Sequence, residues 1–255
     1  MIEFPKTPKI DLTGKRALVA GASSGIGLAA AAALAEHGAA VTLAARRGDR
    51  LRAIADAMIA KGWQAEVLAL DISNVGATAQ AVAETGPFDI LLNAAGLARH
   101  GKATETKAAD FDAVMAINLR GAYFLTQAVA KGLLAAGRGG SLINVSSQMG
   151  HVGGRDRAVY CASKFAVEGF TKAMALELGP NTIRVNTICP TFILTDLTRP
   201  TFDDPQKRAW ILDKIKLGRV GEVEDIMGAV VYLASDMAAL VTGTAMMIDG
   251  GWTAD

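Results

Sequence analysis

Residues 16–27 read "RALVAGASSGIG", and this stretch decides the fold. An apolar run ends in three glycines, Gly21, Gly25 and Gly27, and an Ala-rich helical pattern follows. Glycines let a backbone turn sharply and approach an anion, which the N–H groups and the dipole of a helix N-terminus then hold. The spacing G-x-x-x-G-x-G differs from the better-known G-x-G-x-x-G, but the same physics applies. The stretch predicts a strand, a nucleotide-binding turn and a helix, with an ordinary strand-to-helix turn as the alternative.

The rest of the chain repeats this alternation. After a polar lead-in to about Thr13, seven short runs rich in Val, Ile and Leu alternate with about six amphipathic stretches. This pattern is typical of β-α-β units around a parallel sheet, whose right-handed crossovers place helices on both faces. We therefore expect an α/β fold, a doubly wound parallel sheet of about seven strands, in one domain over residues 1–255. Residues 191–221, which contain Pro200 and Pro205, interrupt the pattern and are predicted to form a substrate lid.

Composition excludes several classes of function. Lys plus Arg number 26 against 25 for Asp plus Glu, so no net charge favours nucleic acid or an anionic membrane. We expect a small-molecule partner. Two cysteines, Cys161 and Cys189, are too few for a framework of disulfides and indicate a reducing compartment. We interpret Cys161, next to Tyr160, as a small packed residue rather than a nucleophile.

The positions of the three histidines do not indicate a metal site. His37, His100 and His151 lie far apart and share no ligand spacing with one another or with the cysteines.

Residues 17–35 are free of charge for almost the length of a membrane span. Ala and Gly contribute little transfer energy, however, and Ser23-Ser24-Gly25 interrupts the run. A strand, turn and buried helix explain the stretch better. The acidic residues near the N-terminus are wrong for a signal peptide, so we expect a cytoplasmic protein.

The end of the second strand indicates which nucleotide binds. An acid about 20 positions beyond the glycines usually binds the ribose 2′-hydroxyl, whereas a nearby arginine accommodates a 2′-phosphate. Ala45 stands 18 positions beyond Gly27, and Arg46 and Arg47 follow it. A guanidinium about 4 Å from a phosphate gains roughly 4 kcal/mol at an effective dielectric near 20, before desolvation. The sequence therefore predicts NADP(H) in preference to NAD(H), the alternative being two solvated arginines.

The segment "YCASK" carries the chemistry. Tyr160 and Lys164 are four positions apart, so on a helix the phenol and the ammonium share one face. A neighbouring cation favours the phenolate and should bring the pKa of the tyrosine toward neutral pH, which suits a general acid/base. Ser147 ends the predicted strand "SLINVSS", at the sheet edge where open α/β proteins bind ligands. Its hydroxyl is placed to orient a substrate oxygen.

Taken with the glycine turn, these residues resemble the short-chain dehydrogenase/reductase family, from Leu12 to Trp252. The resemblance implies a Rossmann-type sheet, a nicotinamide cofactor and reversible hydride transfer between a carbonyl and an alcohol. It implies that Tyr160 donates the proton and that Lys164 lowers its pKa and holds the nicotinamide ribose. Ser147 matches the substrate-orienting serine, and Asn118 matches the asparagine that supports a water in the proton relay.

The resemblance also implies cofactor contacts along the sheet edge. Asp71 matches an acid near the adenine, and Asn93 opens "NAAG", where Ala94 replaces a common Asn. Thr191 stands where the family usually has Gly. The full predicted set is Gly21, Ser23, Ser24, Gly25, Ile26, Gly27, Arg46, Arg47, Asp71, Ile72, Asn93, Ala94, Gly96, Tyr160, Lys164, Pro190, Ile193 and Thr195.

Within the family, "VSSQ", "VYC", "MALELGP" and "RVN" are similar to the dicarbonyl and L-xylulose reductase subgroup, which reduces α-dicarbonyls and keto-sugars with NADPH. Arg157 stands where that subgroup has a pocket His, and Phe202 replaces its lid Trp. An arginine facing the pocket would favour an anionic substrate, but Arg155 and Arg157 are equally well explained as exposed loop charges. The predicted substrate residues are Gln148, His151, Arg157, Phe192 and Phe202. Packing explains Gln148, His151, Phe192 and the further candidate Trp210 equally well.

Two alternatives stay open at this point. The chain is also compatible with an NAD-linked polyol or sugar dehydrogenase, and with a dinucleotide-binding sensor that has no turnover. The family resemblance further suggests a homotetramer, with which the apolar C-terminal end is compatible.

Overall fold

The computed structural model describes residues 3–196 and 198–254. Seven parallel strands form a single sheet in the order β3-β2-β1-β4-β5-β6-β7. The strands are β1 Arg16–Ala20, β2 Ala40–Ala45, β3 Ala65–Ala69, β4 Ile90–Asn93, β5 Gly140–Val145, β6 Ile183–Pro190 and β7 Ala245–Ile248. The predicted doubly wound sheet of seven strands is confirmed.

The helices outnumber the six that the sequence indicates. Within the described residues they are α1 Gly25–Glu36, α2 Gly48–Ala60, α3 Val75–Thr85, α4 Ala108–Met115, α5 Ala122–Ala135, α6 Ala158–Leu178, α7 Arg199–Phe202, α8 Pro205–Lys214 and α9 Glu224–Ala234. The pattern over residues 111–137 predicts one long helix, but a π-helical turn, Ala116–Gly121, separates α4 from α5. Residues 191–221, predicted as a lid with a helical pattern around Trp210, contain α7 and α8.

Apolar side chains cover both faces of the sheet. Successive residues of a strand point to opposite faces, and in β1 the side chain of Val19 packs with α1, α2 and α9 while Leu18 packs with α3, α5 and α6. β4 alternates in the same way, with Leu92 on the first face and Leu91 on the second. Burial on both faces is what a parallel sheet needs, and it explains why these strands read as continuous apolar runs.

The strand order reverses direction between β1 and β4. From β1 the chain builds outward to β2 and β3, then crosses back to β4 and continues through β7. The connections on either side of β1 therefore diverge and leave a crevice at the carboxyl ends of the strands, where open α/β sheets bind ligands.

The charge-free stretch at residues 17–35 contains β1 and most of α1. Across the described part of the chain, no helix combines the length and the apolar character that crossing a membrane requires.

Residues 191–221 lie over the carboxyl edge of the sheet. Ile193 bridges to Gly221 at the two ends of the segment. Between them, Ile211 and Ile215 join a third apolar cluster with Met149 and Trp252. The segment is thus anchored by apolar contacts to the loop after β5 and to the C-terminal end of the chain.

Candidate active site

The turn between β1 and α1 is built from glycines in close contact. Gly21 and Gly25 have positive φ angles of +79° and +53°, which side chains disfavour. A Cβ on Gly21 would stand 2.7 Å from the backbone nitrogen of Ala95, and one on Gly27 would collide with the carbonyl oxygen of Gly21. The helix therefore begins against the end of β1, with its first N–H groups at the mouth of the crevice.

The turn opens into a cleft of about 370 Å³. Its walls come from the ends of β1, β2, β3 and β4 and from the segment after β6. The lining residues are Gly21, Ser23, Ser24, Gly25, Ile26, Gly27, Ala44, Ala45, Arg46, Arg47, Leu70, Asp71, Ile72, Ala94, Ala95, Gly96, Ile117, Thr195 and Asp196. Thirteen of these are in the predicted cofactor set. The other six were not predicted, because no motif distinguishes them from other apolar or loop residues: Ala44, Ala45, Leu70, Ala95, Ile117 and Asp196.

Charged groups stand at the end of the cleft formed by β2 and β3. Arg47 donates a hydrogen bond to Ser23 Oγ at 3.0 Å, and Arg50 donates to the carbonyl of Ser23 at 2.6 Å. Hydrogen bonds from Ser73 and, to a smaller degree, the charge of Arg46 hold the pKa of Asp71 below its usual value. A glycine cradle at a helix N-terminus, flanked by arginines and one carboxylate, fits the phosphates and the adenosine of a nicotinamide dinucleotide.

Ser147 lies at the carboxyl edge beyond this cleft. Its backbone is extended and its side chain is buried. The hydroxyl donates to Gln148 Oε1 at 2.9 Å and accepts from the backbone N–H of Met149 at 3.1 Å. Gln148 in turn donates to Thr191 Oγ1 at 3.2 Å, which ties the loop after β5 to the loop after β6.

Tyr160 and Lys164 lie on α6, as predicted, and share one face of it. The Lys164 ammonium is 5.6 Å from the centroid of the Tyr160 ring. It donates a hydrogen bond of 2.9 Å to the carbonyl oxygen of Val145, the last residue of β5. This bond fixes α6 to the end of β5, two residues before Ser147, and Ser147 lies close enough to Tyr160 to favour the charged form of its phenol.

The electrostatics of this pair differ from the expectation. Desolvation raises the pKa of Tyr160 above its usual value, and the hydrogen bond to Ser147 and the charge of Arg157 offset this only in part. Burial also lowers the pKa of Lys164 to about 8. The prediction that the ammonium brings the phenol pKa down is wrong for this arrangement, because burial has the largest effect and the opposing effects come from Ser147 and Arg157.

Asn118 lies in the π-helical turn between α4 and α5. Its Oδ1 accepts from the N–H of Leu97 at 2.7 Å, and its Nδ2 donates to the carbonyl of Leu97 at 2.8 Å and to Ser163 Oγ at 3.1 Å. π-helical turns often mark functional sites because they redirect a side chain. The Asn118 side chain thereby joins the loop after β4 to Ser163 on α6, the residue directly before Lys164.

Arg157 and His100 flank the tyrosine. The guanidinium of Arg157 lies 5.4 Å from the centroid of the Phe192 ring, and burial lowers its pKa. The His100 ring meets the Tyr160 ring edge-on, with 6.0 Å between centroids. Burial and, next, the charge of Arg157 lower the pKa of His100. The sequence did not indicate His100, because it lies in a loop 60 positions before the tyrosine.

Comparison with known proteins identifies the family. A family model described as enoyl-(acyl carrier protein) reductase matches residues 21–253. A structure of a short-chain type dehydrogenase/reductase from Mycobacterium marinum superposes with a TM-score of 0.91 at 37% identity, covering 96% of this chain and 98% of that one. The chain belongs to the short-chain dehydrogenase/reductase family. It is an oxidoreductase of that family.

Similar short-chain dehydrogenases/reductases cover nearly the whole chain. D-erythrulose reductase of Gallus gallus is 39% identical over 245 residues, 96% of this chain and 98% of that protein. L-xylulose reductase of Bos taurus is 38% identical over 243 residues, 95% and 98% of the two chains. D-threitol dehydrogenase of Mycolicibacterium smegmatis is 42% identical over 248 residues, 95% and 94%. The resemblance to the L-xylulose reductase subgroup is confirmed.

A solved relative carries a cofactor. The structure of a gluconate 5-dehydrogenase from Burkholderia cenocepacia J2315, in complex with NADP and tartrate, superposes with a TM-score of 0.94 at 32% identity. It covers 98% of this chain and 99% of that one.

Several predicted site residues serve the packing of this short-chain dehydrogenase/reductase. Asn93 is buried and donates to Asn144 Oδ1 at 3.0 Å, away from the cleft lining. Phe192 packs at 5.7 Å from Trp252, and Phe202 at 6.2 Å from Phe192, between ring centroids. Trp210 meets Trp252 edge-on at 5.3 Å. Pro190 and Ile193 are buried at the start of the lid segment and are outside the cleft lining.

His151 departs from its predicted role. Its Nε2 points toward Cys189 and Glu168 instead of lining a substrate pocket. The spacing of the histidines and cysteines predicts no metal site. The fold nevertheless brings His151 and Cys189 together with the buried Glu168. The contacts come from three separate segments, so no local motif could have indicated them.

The buried lysine makes stability depend on pH. Because its pKa is lowered to about 8, the unfolded chain binds one more proton than the native protein between pH 8 and about 10. Stability rises with pH wherever the unfolded state binds more protons. The free energy of unfolding of the wild type, minus that of Lys164→Met, should therefore rise by up to about 1.4 kcal/mol per pH unit in this window.

Urea unfolding at pH 7.5 to 10 measures this difference. Lys172→Met, which removes an exposed lysine from the same helix, controls for the change in helix propensity. A difference that stays flat or falls across the window would contradict the burial of the ammonium.

Proposed function

We propose that the protein is an NADP(H)-dependent oxidoreductase that interconverts a small ketone, dicarbonyl or keto-sugar and its alcohol, with Tyr160 as the general acid/base. The observation that carries this proposal is the arrangement of Ser147, Tyr160 and Lys164 at the carboxyl edge. Ser147 lies close enough to Tyr160 to favour the charged form of the phenol, and the Lys164 ammonium is 5.6 Å from the centroid of the phenol ring. All three lie on the side of the sheet that opens into the glycine-lined cleft.

The chemistry follows from these residues. A substrate carbonyl accepts hydrogen bonds from the hydroxyls of Ser147 and Tyr160, which polarise it. In the reductive direction Tyr160 gives its proton to the carbonyl oxygen, and in the oxidative direction it takes the alcohol proton. A nicotinamide, when bound, supplies or accepts the hydride. Lys164 holds α6 against β5 through the Val145 carbonyl and keeps a positive charge near the developing phenolate.

The raised pKa of Tyr160 supports the donor role. A phenol that stays protonated at neutral pH can donate a hydrogen bond to a carbonyl in the ground state. When it loses its proton, the Ser147 hydroxyl and the Arg157 charge stabilise the phenolate, since both favour the charged form. Asn118 acts by position, because it ties the loop after β4 to Ser163, next to Lys164.

Removal of the phenol hydroxyl tests the acid/base assignment. Tyr160→Phe should lower kcat by about 10²- to 10⁴-fold, because the general acid is lost, and leave the Kd for NADPH within about threefold. Stopped-flow turnover and fluorescence titration of NADPH measure the two quantities. Phe165→Leu, a substitution at an exposed aromatic of the same helix, serves as the control. Intact turnover in the Tyr160→Phe variant would contradict the assignment of Tyr160 as the general acid/base.

The same assay separates enzyme from sensor. Relatives named for erythrulose, xylulose and threitol support a short polyhydroxy ketone or the corresponding polyol as the substrate class. Consumption of NADPH with such ketones supports the reductase. NADPH binding without consumption on any carbonyl of a broad panel would favour the non-catalytic sensor.

The cofactor preference follows from the charges at the end of β2. Arg46 and Arg47 line the cleft, and no carboxylate ends that strand. Asp71, from the end of β3, lies beside them and is held in its charged form. Two guanidinium groups against one carboxylate favour a 2′-phosphate, so we propose NADP(H) over NAD(H), with an NAD-linked polyol dehydrogenase as the runner-up.

Charge reversal at the cleft tests this preference. Arg46→Asp should shift the ratio of kcat/KM for NADPH and NADH toward NADH by about 100-fold, since an acid there repels the 2′-phosphate and can accept from a 2′-hydroxyl. Arg52→Asp, at an exposed position on the following helix α2, is the control and should leave the ratio unchanged. If both variants keep the wild-type ratio, Arg46 does not select the cofactor.

Arg157 supports an anionic group on the substrate. It stacks on Phe192, lies close enough to Tyr160 to affect its pKa, and is partly buried rather than extended into solvent. Its Nη1 donates to the carbonyl of Arg155 at 3.0 Å. The other N–H donors of the guanidinium can then bind a ligand. A solved relative is named for gluconate and holds tartrate, and both compounds are carboxylates. We therefore include keto-acid sugars in the substrate class.

A pair of arginine variants tests this extension. Arg157→Ala should raise KM for carboxylate-bearing ketones by about 10- to 100-fold and change KM for neutral ketones little, because a charge-assisted bidentate contact is lost. Arg155→Ala, at an exposed neighbour, is the control. Equal effects of Arg157→Ala on acidic and neutral substrates would refute a direct contact with the anion.

Three further statements stay predictions. We expect residues 191–221 to act as the lid of the single domain, which the packing of Phe192 and Phe202 over Trp252 supports. We expect a homotetramer, since β7 is an edge strand with half-buried residues and Leu240 before it is fully exposed. The cytoplasmic location is likewise an expectation.

A further inference from the structure

Three side chains from three segments converge behind the catalytic residues. His151 comes from the turn after β5, Glu168 from α6 and Cys189 from β6. The thiol Sγ lies 3.2 Å from Glu168 Oε1 and 3.5 Å from His151 Nε2. His151 Nε2 and Glu168 Oε1 are 3.6 Å apart, so the three atoms form a nearly equilateral triangle.

The triangle has the dimensions of a tetrahedral metal site. Zn²⁺ bonds to sulfur at about 2.3 Å and to nitrogen or oxygen at about 2.0–2.2 Å, which at tetrahedral angles puts the ligand atoms about 3.3–3.6 Å from one another. The three observed separations, 3.2, 3.5 and 3.6 Å, fall in or next to this range. A single ion above the triangle could therefore reach all three ligands without a change in the backbone.

The surroundings also fit a cation. Glu168 and Cys189 are buried, whereas the His151 side chain is 29% exposed, which leaves a path to solvent and a fourth position for water. Thr187 Oγ1 donates to Glu168 Oε2 at 2.9 Å. This bond orients the carboxylate so that Oε1 faces the triangle, as the outer partners of metal ligands usually do.

A buried hydroxyl completes the surroundings. Ser146 Oγ is buried and makes no hydrogen bond of normal geometry within the described residues. It faces the Cys189 thiol. Buried hydroxyls normally have a hydrogen-bond partner, so the unpaired Ser146 hydroxyl indicates that the polar contacts around the thiol are incomplete.

We propose that His151, Glu168 and Cys189 bind one Zn²⁺ ion. A thiolate, an imidazole and a carboxylate form a ligand set that suits Zn²⁺, whereas Mg²⁺ and Ca²⁺ require oxygen ligands. On binding, the S–H bond of Cys189 breaks, the Zn–S bond forms and the proton passes to solvent. His151 coordinates as the neutral imidazole and Glu168 as the carboxylate.

The ion would act as a structural brace. His151 follows Ser147 by four residues, Glu168 follows Lys164 by four, and Cys189 directly precedes Pro190 at the start of the lid segment. One ion would therefore fix three segments relative to one another: the loop with Ser147, the helix with Tyr160 and Lys164, and the end of β6 that precedes the lid segment. It binds behind the site and takes no part in the hydride transfer, so this proposal is independent of the proposed substrate.

The competing explanation is a network of hydrogen bonds alone. Cys189 can donate to Glu168, and a protonated His151 can pair with the same carboxylate. Such a network would hold the segments together without a metal, and a direct measurement of binding distinguishes the two.

The full-length protein, stripped with a chelator, is titrated with Zn²⁺ against a chromophoric chelator, and with Co²⁺ as a spectroscopic probe. We expect one ion per chain. We also expect a thiolate-to-Co²⁺ charge-transfer band in the near ultraviolet, together with the intense visible bands of tetrahedral Co²⁺. The unfolding temperature should rise by about 5 °C at a 100-fold excess of Zn²⁺ over its Kd.

Matched variants locate the ion. Cys189→Ser should abolish the charge-transfer band and weaken Zn²⁺ binding at least about 10-fold, while Cys161→Ser, at the other free buried cysteine, should change neither. His151→Gln should weaken binding similarly, with His37→Gln as its control. The two histidine variants change partly exposed side chains, so they keep the test informative if Cys189→Ser does not fold.

Two outcomes overturn the proposal. One is a stripped wild type that binds no Zn²⁺ beyond nonspecific background and shows no Co²⁺ charge-transfer band. The other is a stoichiometric ion whose affinity Cys189→Ser and His151→Gln leave equal to that of their controls.

Discussion

The site depends on a contact that only glycine permits, between Gly27 and the carbonyl of Gly21. A Cβ at Gly27 would collide with that oxygen, so any side chain there would push α1 away from the end of β1. With the contact made, the N-terminus of α1 stands where the strand order reverses between β1 and β4. The crevice, the anion-binding N–H groups and the positions of Arg46 and Asp71 all follow from this placement.

Desolvation sets the pKa values of Tyr160 and Lys164, the proposed catalytic pair. Burial disfavours charge on both groups, so it lowers the pKa of Lys164 to about 8 and raises that of Tyr160. An argument from sequence can state that a cation adjoins a phenol, but it cannot compare that attraction with the loss of solvent. The balance of these effects favours a protonated Tyr160 phenol next to Ser147. The Lys164 ammonium donates a hydrogen bond to the Val145 carbonyl.

The carboxyl edge of the sheet brings together two kinds of polar cluster. In front, Ser147 and Tyr160 face the region where a substrate and a nicotinamide would meet. Behind them, His151 and Glu168 come from the same two segments, and Cys189 joins them from β6. Both clusters have residues on α6 and in the loop after β5. A change in one cluster should therefore shift the side chains of the other.

By itself the sequence determined the seven strands, the glycine turn, the two arginines after β2 and the one-turn spacing of Tyr160 and Lys164, because each is a local pattern. The tertiary structure alone decided the π-helical turn at Asn118, the approach of His100 to the tyrosine and the convergence of His151 with Cys189. These depend on how distant segments pack, and on how much solvent the packing removes. Neither quantity can be read from residue order, because both arise from contacts between positions far apart in the chain.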